Sequence, residues 1–362
     1  MTNTIILWQH DVFPDQTVKI DLPLTRNIGA EELKADLLLP EYVDLSYFPV
    51  QKAAVILWGC KHAHELHEMY PDIIRKKISS KPIGVLLFGG AGVKMCCPSA
   101  NARGSSFNRA INDVDCMVSR EHCKELKNLL LSLGDVAGTM YFHFVTPYEE
   151  RYNAIRAERL LLRTFTGAFS ADGSPHVGLM DILSDRVEMR HTVDVTDDLR
   201  DDERATHVIS PHNLLLTKLQ YILDLPREDT VPKLEKRDET YRILPYEHYD
   251  ESKVLIGMET KDFLDSACLL LDHDFGDKAG EISLNIMSKK LRDDKFRLTV
   301  RLNLQNIVDN VERLRKLGVP ESDVRNVKSK AEHMLQELPK TGHHWSKPWW
   351  NTDVETPETG VT

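Results

Sequence analysis

The run Ile83-Gly-Val-Leu-Leu-Phe-Gly-Gly90 and the run Asp113-Val-Asp115-Cys-Met-Val118 constrain this chain more than any other stretch. The first is continuously apolar from Val85 to Phe88, bounded by Pro82 and closed by paired glycines, the pattern of a buried strand that turns sharply at its end. The second predicts a strand over 113–118. On a strand, side chains at i and i+2 share a face, so Asp113 and Asp115 are expected to point the same way. Two like charges so placed are unfavourable unless a cation lies between them. Hard divalent ions, Mg²⁺ above all, take carboxylate oxygens in this manner and keep positions open for phosphates.

A third acid lies in Gly178-Leu-Met-Asp181-Ile-Leu183, inside an otherwise apolar strand. A buried carboxylate needs a partner, and a metal shared with Asp113 and Asp115 would be one. Asp194, in Thr192-Val-Asp-Val195, competes for this position. The glycines supply the other half of a site. A strand that ends in Gly89-Gly90 and opens a helix lets backbone N–H groups approach a triphosphate, with the partial positive charge of the helix N-terminus behind them. Neither a glycine pair nor Asp-x-Asp is specific alone; their order and the later carboxylate strand add specificity.

Further strands are expected at Thr4–Trp8, Thr17–Leu22, Tyr141–Thr146, Leu160–Phe169 and Val177–Leu183, with helices over 50–79, Glu121–Leu133 and 214–223. Ser210-Pro211 reads as an N-cap followed by proline at the first helical position. Residues 225–252 read as a charged loop, and helices are expected again from about Thr260 to Leu338, broken at Gly318-Val-Pro320. The tail, with Trp345, Trp349 and Trp350, is either disordered or a strap packed by its tryptophans. The expected fold class is therefore α+β: a mixed sheet flanked by helices, followed by a C-terminal helical domain. The expected divisions are an N-terminal extension (1–80), a core (81–209), a helical domain (210–338) and an irregular tail (339–362).

Charge and cysteine usage narrow the function classes. The net charge of -10 argues against a chain-wide nucleic-acid surface. Residues 181–265 hold 21 Asp and Glu against 12 Lys and Arg, whereas 285–340 hold 13 basic against 8 acidic residues. That basic arm is either a local phosphate-binding face or a solvated helix face. No run of 18 apolar residues occurs and the N-terminus lacks a signal-peptide pattern, so the expectation is a cytoplasmic protein with no membrane span. The six cysteines have no C-x-x-C spacing and read as thiols of a reducing compartment. The cluster His62-Ala-His64-Glu-Leu-His67 lacks the His pair at i, i+4 enclosing a Glu that a zinc-protease helix needs.

Strand, Gly-Gly, helix, Asp-x-Asp strand and later carboxylate strand together resemble the nucleotidyltransferases of the DNA-polymerase-beta superfamily. Arg109, four residues before Asp113, fits the Arg-x-x-x-Asp-x-Asp form of a bacterial branch that includes abortive-infection and related toxin enzymes. Two more segments resemble that branch: Leu215-Leu-Thr-Lys218-Leu219, and Lys261-Asp262-Phe-Leu-Asp265 opening a later helix. The likeness covers about residues 83–272. It implies a nucleotidyltransferase-like sheet. Metal ligands would be Asp113, Asp115 and Asp181, and phosphate contacts would come from Gly89, Gly90, Arg109 and Lys218, with Asp262 in support. It departs from the family in the 22 residues between Gly90 and Asp113; Gly104-Ser105 sits at a more usual separation but follows no apolar strand, which leaves open which glycines cradle the phosphates. Each residue also has a plainer reading: capping acids for Asp113 and Asp115, a snorkelling lysine for Lys218, a first-turn acid for Asp262, and an incidental ion pair for Arg109.

The expected chemistry is transfer of a nucleoside monophosphate from an NTP, with Mg²⁺ or Mn²⁺, to a hydroxyl acceptor. Asp181 is a candidate base, and Lys218 would offset charge on the pyrophosphate. Acceptors left open are an RNA end, a protein side chain, an aminoglycoside-like compound or a second nucleotide, with an antitoxin-like protein as a further possible partner. The competing class is a binding module that keeps the scaffold without turnover.

Overall fold

The structure is a computed structural model. It describes residues 3–7, 18–22, 30–69, 79–111, 113–136, 143–155, 159–169, 175–200, 207–220, 244–245, 255–256, 258, 260–340 and 349–351. In chain order the elements are β1 (Asn3–Leu7), β2 (Val18–Leu22), α1 (Ala30–Leu37), α2 (Phe48–Lys61), α3 (Ala63–Met69), β3 (Val85–Phe88), α4 (Gly89–Cys96), β4 (Asp115–Val118), α5 (Cys123–Val136), β5 (His143–Phe144), α6 (Pro147–Ile155), β6 (Arg159–Phe169), β7 (Pro175–Ser184), β8 (Arg186–Glu188), β9 (Thr192–Asp194), α7 (Thr196–Arg200), α8 (Pro211–Lys218), β10 (Leu244–Pro245), β11 (Leu255–Ile256), α9 (Thr260–Asp272), α10 (Leu284–Lys290), α11 (Asp294–Asn310), α12 (Glu312–Lys316) and α13 (Glu321–Glu337). The class is mixed α and β. Among the described residues no helix is long and apolar enough to cross a membrane. The chain divides into two compact units: residues 1–101, 110–186 and 195–209 form one, and residues 102–109, 187–194 and 210–362 form the other.

The first unit is built on a five-stranded sheet of order β3-β4-β7-β6-β5. β3 and β4 are antiparallel, with Phe88 opposite Asp115. β4 and β7 are parallel, with Cys116 opposite Ile182. β7 and β6 are antiparallel, with Asp181 opposite Leu161. The backbone of 207–209 adds to the outer edge of β3: Leu87 N–H donates to His207 O at 2.7 Å and Ile209 N–H to Leu87 O at 3.1 Å. α2 packs on β3 and β6 and is buried from Phe48 to Cys60, as a helix apolar on all sides must be. Its two buried polar residues, Gln51 and Lys52, are therefore conspicuous. α6 opens with Glu149 reaching back to Thr146: its carboxylate accepts the Thr146 N–H at 2.8 Å and the Thr146 hydroxyl.

The strand expected over 113–118 begins only at Asp115; Asp113 precedes it and is exposed. The helical stretch expected over 50–79, with a break near Pro71, is broken earlier, at His62 between α2 and α3, and residues 70–78, which include Pro71, lie outside the described residues. The expected loop at 225–252 also falls largely outside them. Pro211 does open α8, but Ser210 makes no side-chain cap; its hydroxyl pairs with His212 Nε2 at 2.9 Å. The described part of α8 ends at Lys218 rather than 223.

The second unit is mostly helical, with the hairpin β8–β9 and the pair β10–β11. Its core holds His191, whose Nε2 lies 2.8 Å from Thr299 Oγ1, and Trp349, whose Nε1–H donates to the same hydroxyl at 2.9 Å. Trp349 and Trp350 are buried and stack edge to face, so this part of the tail is a packed strap.

Candidate functional site

The ends of β3, β4 and β7 that meet beside Gly89 carry the candidate chemistry of the first unit. Gly89 follows β3 directly and starts α4 with φ +62°, a left-handed conformation that L side chains resist. A Cβ there would sit 2.9 Å from Asp115 Oδ2. Glycine is thus required twice, by the turn and by the carboxylate against it. Asp115 is half-buried, and its Oδ1 accepts the Asp181 backbone N–H at 3.3 Å. Register therefore brings Asp115 and Asp181 side by side on parallel strands. Asp113 is exposed two residues earlier; Ile111, two residues before it, is held by Tyr47, whose hydroxyl donates to Ile111 O at 2.9 Å and accepts Ile111 N–H at 2.7 Å.

The partner of Asp181 in the structure is an arginine. Arg159 lies diagonally across from it on β6 and donates Nε–H to Oδ1 at 2.9 Å and an Nη2–H to Oδ2 at 2.8 Å. Burial opposes the Arg159 charge, but the hydrogen bonds and charge of Asp181 outweigh it and raise the guanidinium pKa. The expectation that a carboxylate in this apolar strand implies a shared metal is met instead by this fork. Arg159 was not singled out in the sequence, where it opens a run that reads as plain strand.

Lys52 was missed for a similar reason. Its ammonium is buried, donates to Phe165 O at 2.7 Å, and lies 6.0 Å from the Phe48 ring centroid. Burial pulls its pKa down to about 7, against the opposing influence of Asp113 and then Cys116. A single lysine in α2 carries no sequence signal apart from interrupting an apolar helix.

Arg109, Lys218 and Asp262 belong to the second unit, where they form a closed ionic cluster with Asp265. Lys218 Nζ lies 3.0 Å from Asp262 Oδ1 and 2.9 Å from Asp265 Oδ2. Arg109 forks onto Asp265 with Nε–Oδ1 at 2.8 Å and Nη2–Oδ2 at 2.6 Å. Two cations meet two anions. Burial raises the Asp262 pKa, with Lys218 opposing; at Asp265 the charges and hydrogen bonds of Lys218 and Arg109 overcome burial and lower it. Lys218 is not a snorkelling residue: its side chain is only 9% exposed. Both cations expected to meet phosphates are occupied here by protein carboxylates. The Asp262 Oδ2 atom is buried with no hydrogen-bond partner. The loop 102–109 that carries Gly104-Ser105 belongs to this unit; Gly104 has φ +74°, and the Ser106 hydroxyl donates to Leu317 O.

Asp115 is half-buried with an oxygen facing the Gly89 turn, and Asp113 is exposed two residues earlier; among the described residues the carboxylates of Asp113, Asp115 and Asp181 are not one of the groups whose ligand atoms all lie within 4.8 Å of one another. Each Asp181 oxygen accepts one N–H from Arg159 and keeps a second lone pair. No protein-family model, no curated protein and no solved structure matches this chain.

Proposed function

We propose that the chain is a metal-dependent nucleotidyltransferase that moves a nucleoside monophosphate from an NTP to a hydroxyl acceptor. The observation that carries the reading is the juxtaposition of Gly89, Asp115 and Asp181. A glycine-opened helix sits against one carboxylate, and a second lies on the parallel neighbouring strand. This arrangement suits a nucleotidyltransferase-like sheet with a following helical region. Asp113 and Asp115 would hold Mg²⁺ or Mn²⁺. When bound, the ion supplies Lewis-acid activation of the phosphate and the acceptor oxygen. The N–H groups of the first turn of α4 would face the phosphates, and Gly89 keeps that approach free of a side chain. Arg159 donates one N–H to each carboxylate oxygen of Asp181 and so fixes the orientation of that carboxylate. RNA ends or protein side chains are the acceptor classes favoured by the toxin-like motifs. A cytoplasmic location and an antitoxin-like partner belong to the same reading.

The test is incubation with each α-labelled NTP, Mg²⁺ or Mn²⁺ and cell extract. Transfer of label that disappears in Asp115→Ala and Asp113→Ala is the expected result. Transfer that survives both substitutions refutes the assignment. The Arg159–Asp181 fork favours one second reading, a nucleotide-binding module without turnover. That reading predicts thermal stabilisation by NTP and metal with no pyrophosphate released.

A further inference from the structure

We propose that Cys96 and Cys97 form a vicinal dithiol site for a soft, thiophilic divalent ion of the Zn²⁺ and Cd²⁺ class. Cys96 is the last residue of α4 and Cys97 follows it as the C-cap. Their sulfurs lie 3.7 Å apart. Two thiolates at a Zn–S distance of about 2.3 Å in a tetrahedral shell are separated by about 3.8 Å, so the pair already spans one edge of such a shell. A disulfide fits less well. The sulfurs would have to close to about 2.05 Å, and Cα atoms about 3.8 Å apart across one trans peptide fall below the usual disulfide range.

The edge is held in advance of any ion. Cys97 N–H donates to Val93 O at 2.9 Å, and Cys97 O accepts from Ala100 N–H at 3.2 Å and from the Asn101 side-chain amide at 3.1 Å. The same amide donates to Lys94 O at 2.6 Å, and the Lys94 ammonium donates to Ala100 O at 2.6 Å. The Lys94 ammonium is thus fixed on the turn that carries the thiols. Cys96 is half-exposed and offers the way in; Cys97 is buried. Burial raises the Cys60 and Cys116 thiols far above their ordinary range and the Cys123 thiol to about 11, which keeps those three protonated. On binding, each thiol gives its proton to solvent and each sulfur forms one bond to the ion. No electron is transferred, and water or other donors complete the shell.

The site is independent of the nucleotidyltransferase reading and is tested spectroscopically. The reduced full-length chain is titrated with Cd²⁺ under nitrogen while the thiolate-to-cadmium charge-transfer absorption is followed, and with Zn²⁺ against a chromophoric chelator. One ion per chain is expected. Cys96→Ala and Cys97→Ala should each weaken binding at least tenfold, and Cys123→Ala should leave it unchanged. Absence of the charge-transfer band overturns the proposal. So does a band that persists at full strength in Cys96→Ala, a half-exposed position whose fold is checked by circular dichroism.

Discussion

Arg159 and Asp181 lie diagonally across the antiparallel β6–β7 ladder and share two near-parallel hydrogen bonds of 2.9 and 2.8 Å. The fork answers the carboxylate that an apolar strand cannot leave unpaired, and it occupies one acceptor position on each Asp181 oxygen. Arg159→Met should lower stability by about 1.5–3 kcal/mol, the range for hydrogen bonds to charged groups. It should also increase the thermal stabilisation given by Mg²⁺, since the released carboxylate is then open to the ion. Urea unfolding and thermal shift with and without Mg²⁺ measure both effects; an unchanged Mg²⁺ response would separate Asp181 from the metal.

Gly89→Ala should cost roughly 1–2 kcal/mol for the left-handed backbone alone, with a further loss from the 2.9 Å approach of the new Cβ to Asp115 Oδ2. Gly84→Ala is the control, because a Cβ there meets nothing within 4 Å. Denaturant midpoints of the two variants should differ clearly; equal midpoints would contradict the turn geometry.

Lys52 gives the chain a specific alkaline response. Its pKa falls from 10.5 unfolded to about 7 folded, chiefly through burial. Above about pH 7 the unfolded state therefore binds more protons, and stability rises with pH. The rise should approach about 1.4 kcal/mol per pH unit. Above about pH 8 the buried thiols of Cys60, Cys116 and Cys123, raised by burial, work in the opposite direction. The clean window is about pH 7–8, and Lys52→Met should flatten the slope there and stabilise the protein at about pH 7. Urea titrations at half-unit intervals check the slope.

On the acid side, His143 and His191 are neutral by burial, His143 well below its ordinary value and His191 at about 4. Unfolding lets both take protons below about pH 6.5, so stability should decline as pH falls from there. His191→Gln should reduce that decline, measured as the difference in unfolding free energy between pH 6.5 and pH 5.

Lys218→Met would leave Asp262 and Asp265 buried without the ammonium between them, Arg109 still forking onto Asp265. A loss of about 3–5 kcal/mol is expected, typical of breaking a buried pair on one side. Asp262→Asn combined with Lys218→Met should recover part of it, since the orphaned charge is then removed. Guanidinium denaturation of the single and double variants measures this coupling.

The sequence by itself determined the elements with unbroken local signals. The Val85–Phe88 strand, the glycine turn after it, the β6 and β7 runs and the helix break at Gly318-Val-Pro320 all follow from apolar periodicity and the backbone limits of glycine and proline. It also marked Asp181 as a carboxylate in an apolar strand that requires a partner, and Asp113 and Asp115 as like charges that call for a cation. Which partners they take was decided only by tertiary structure, because strand register and helix packing join residues far apart in the chain. Asp181 meets Arg159 through the β6–β7 register, Lys218 and Arg109 converge on Asp265, and Lys52 reaches the carbonyl of Phe165. A lysine, an arginine and a carboxylate look alike in sequence whether exposed or buried; the desolvation that gives each its chemistry exists only once the chain has packed around it.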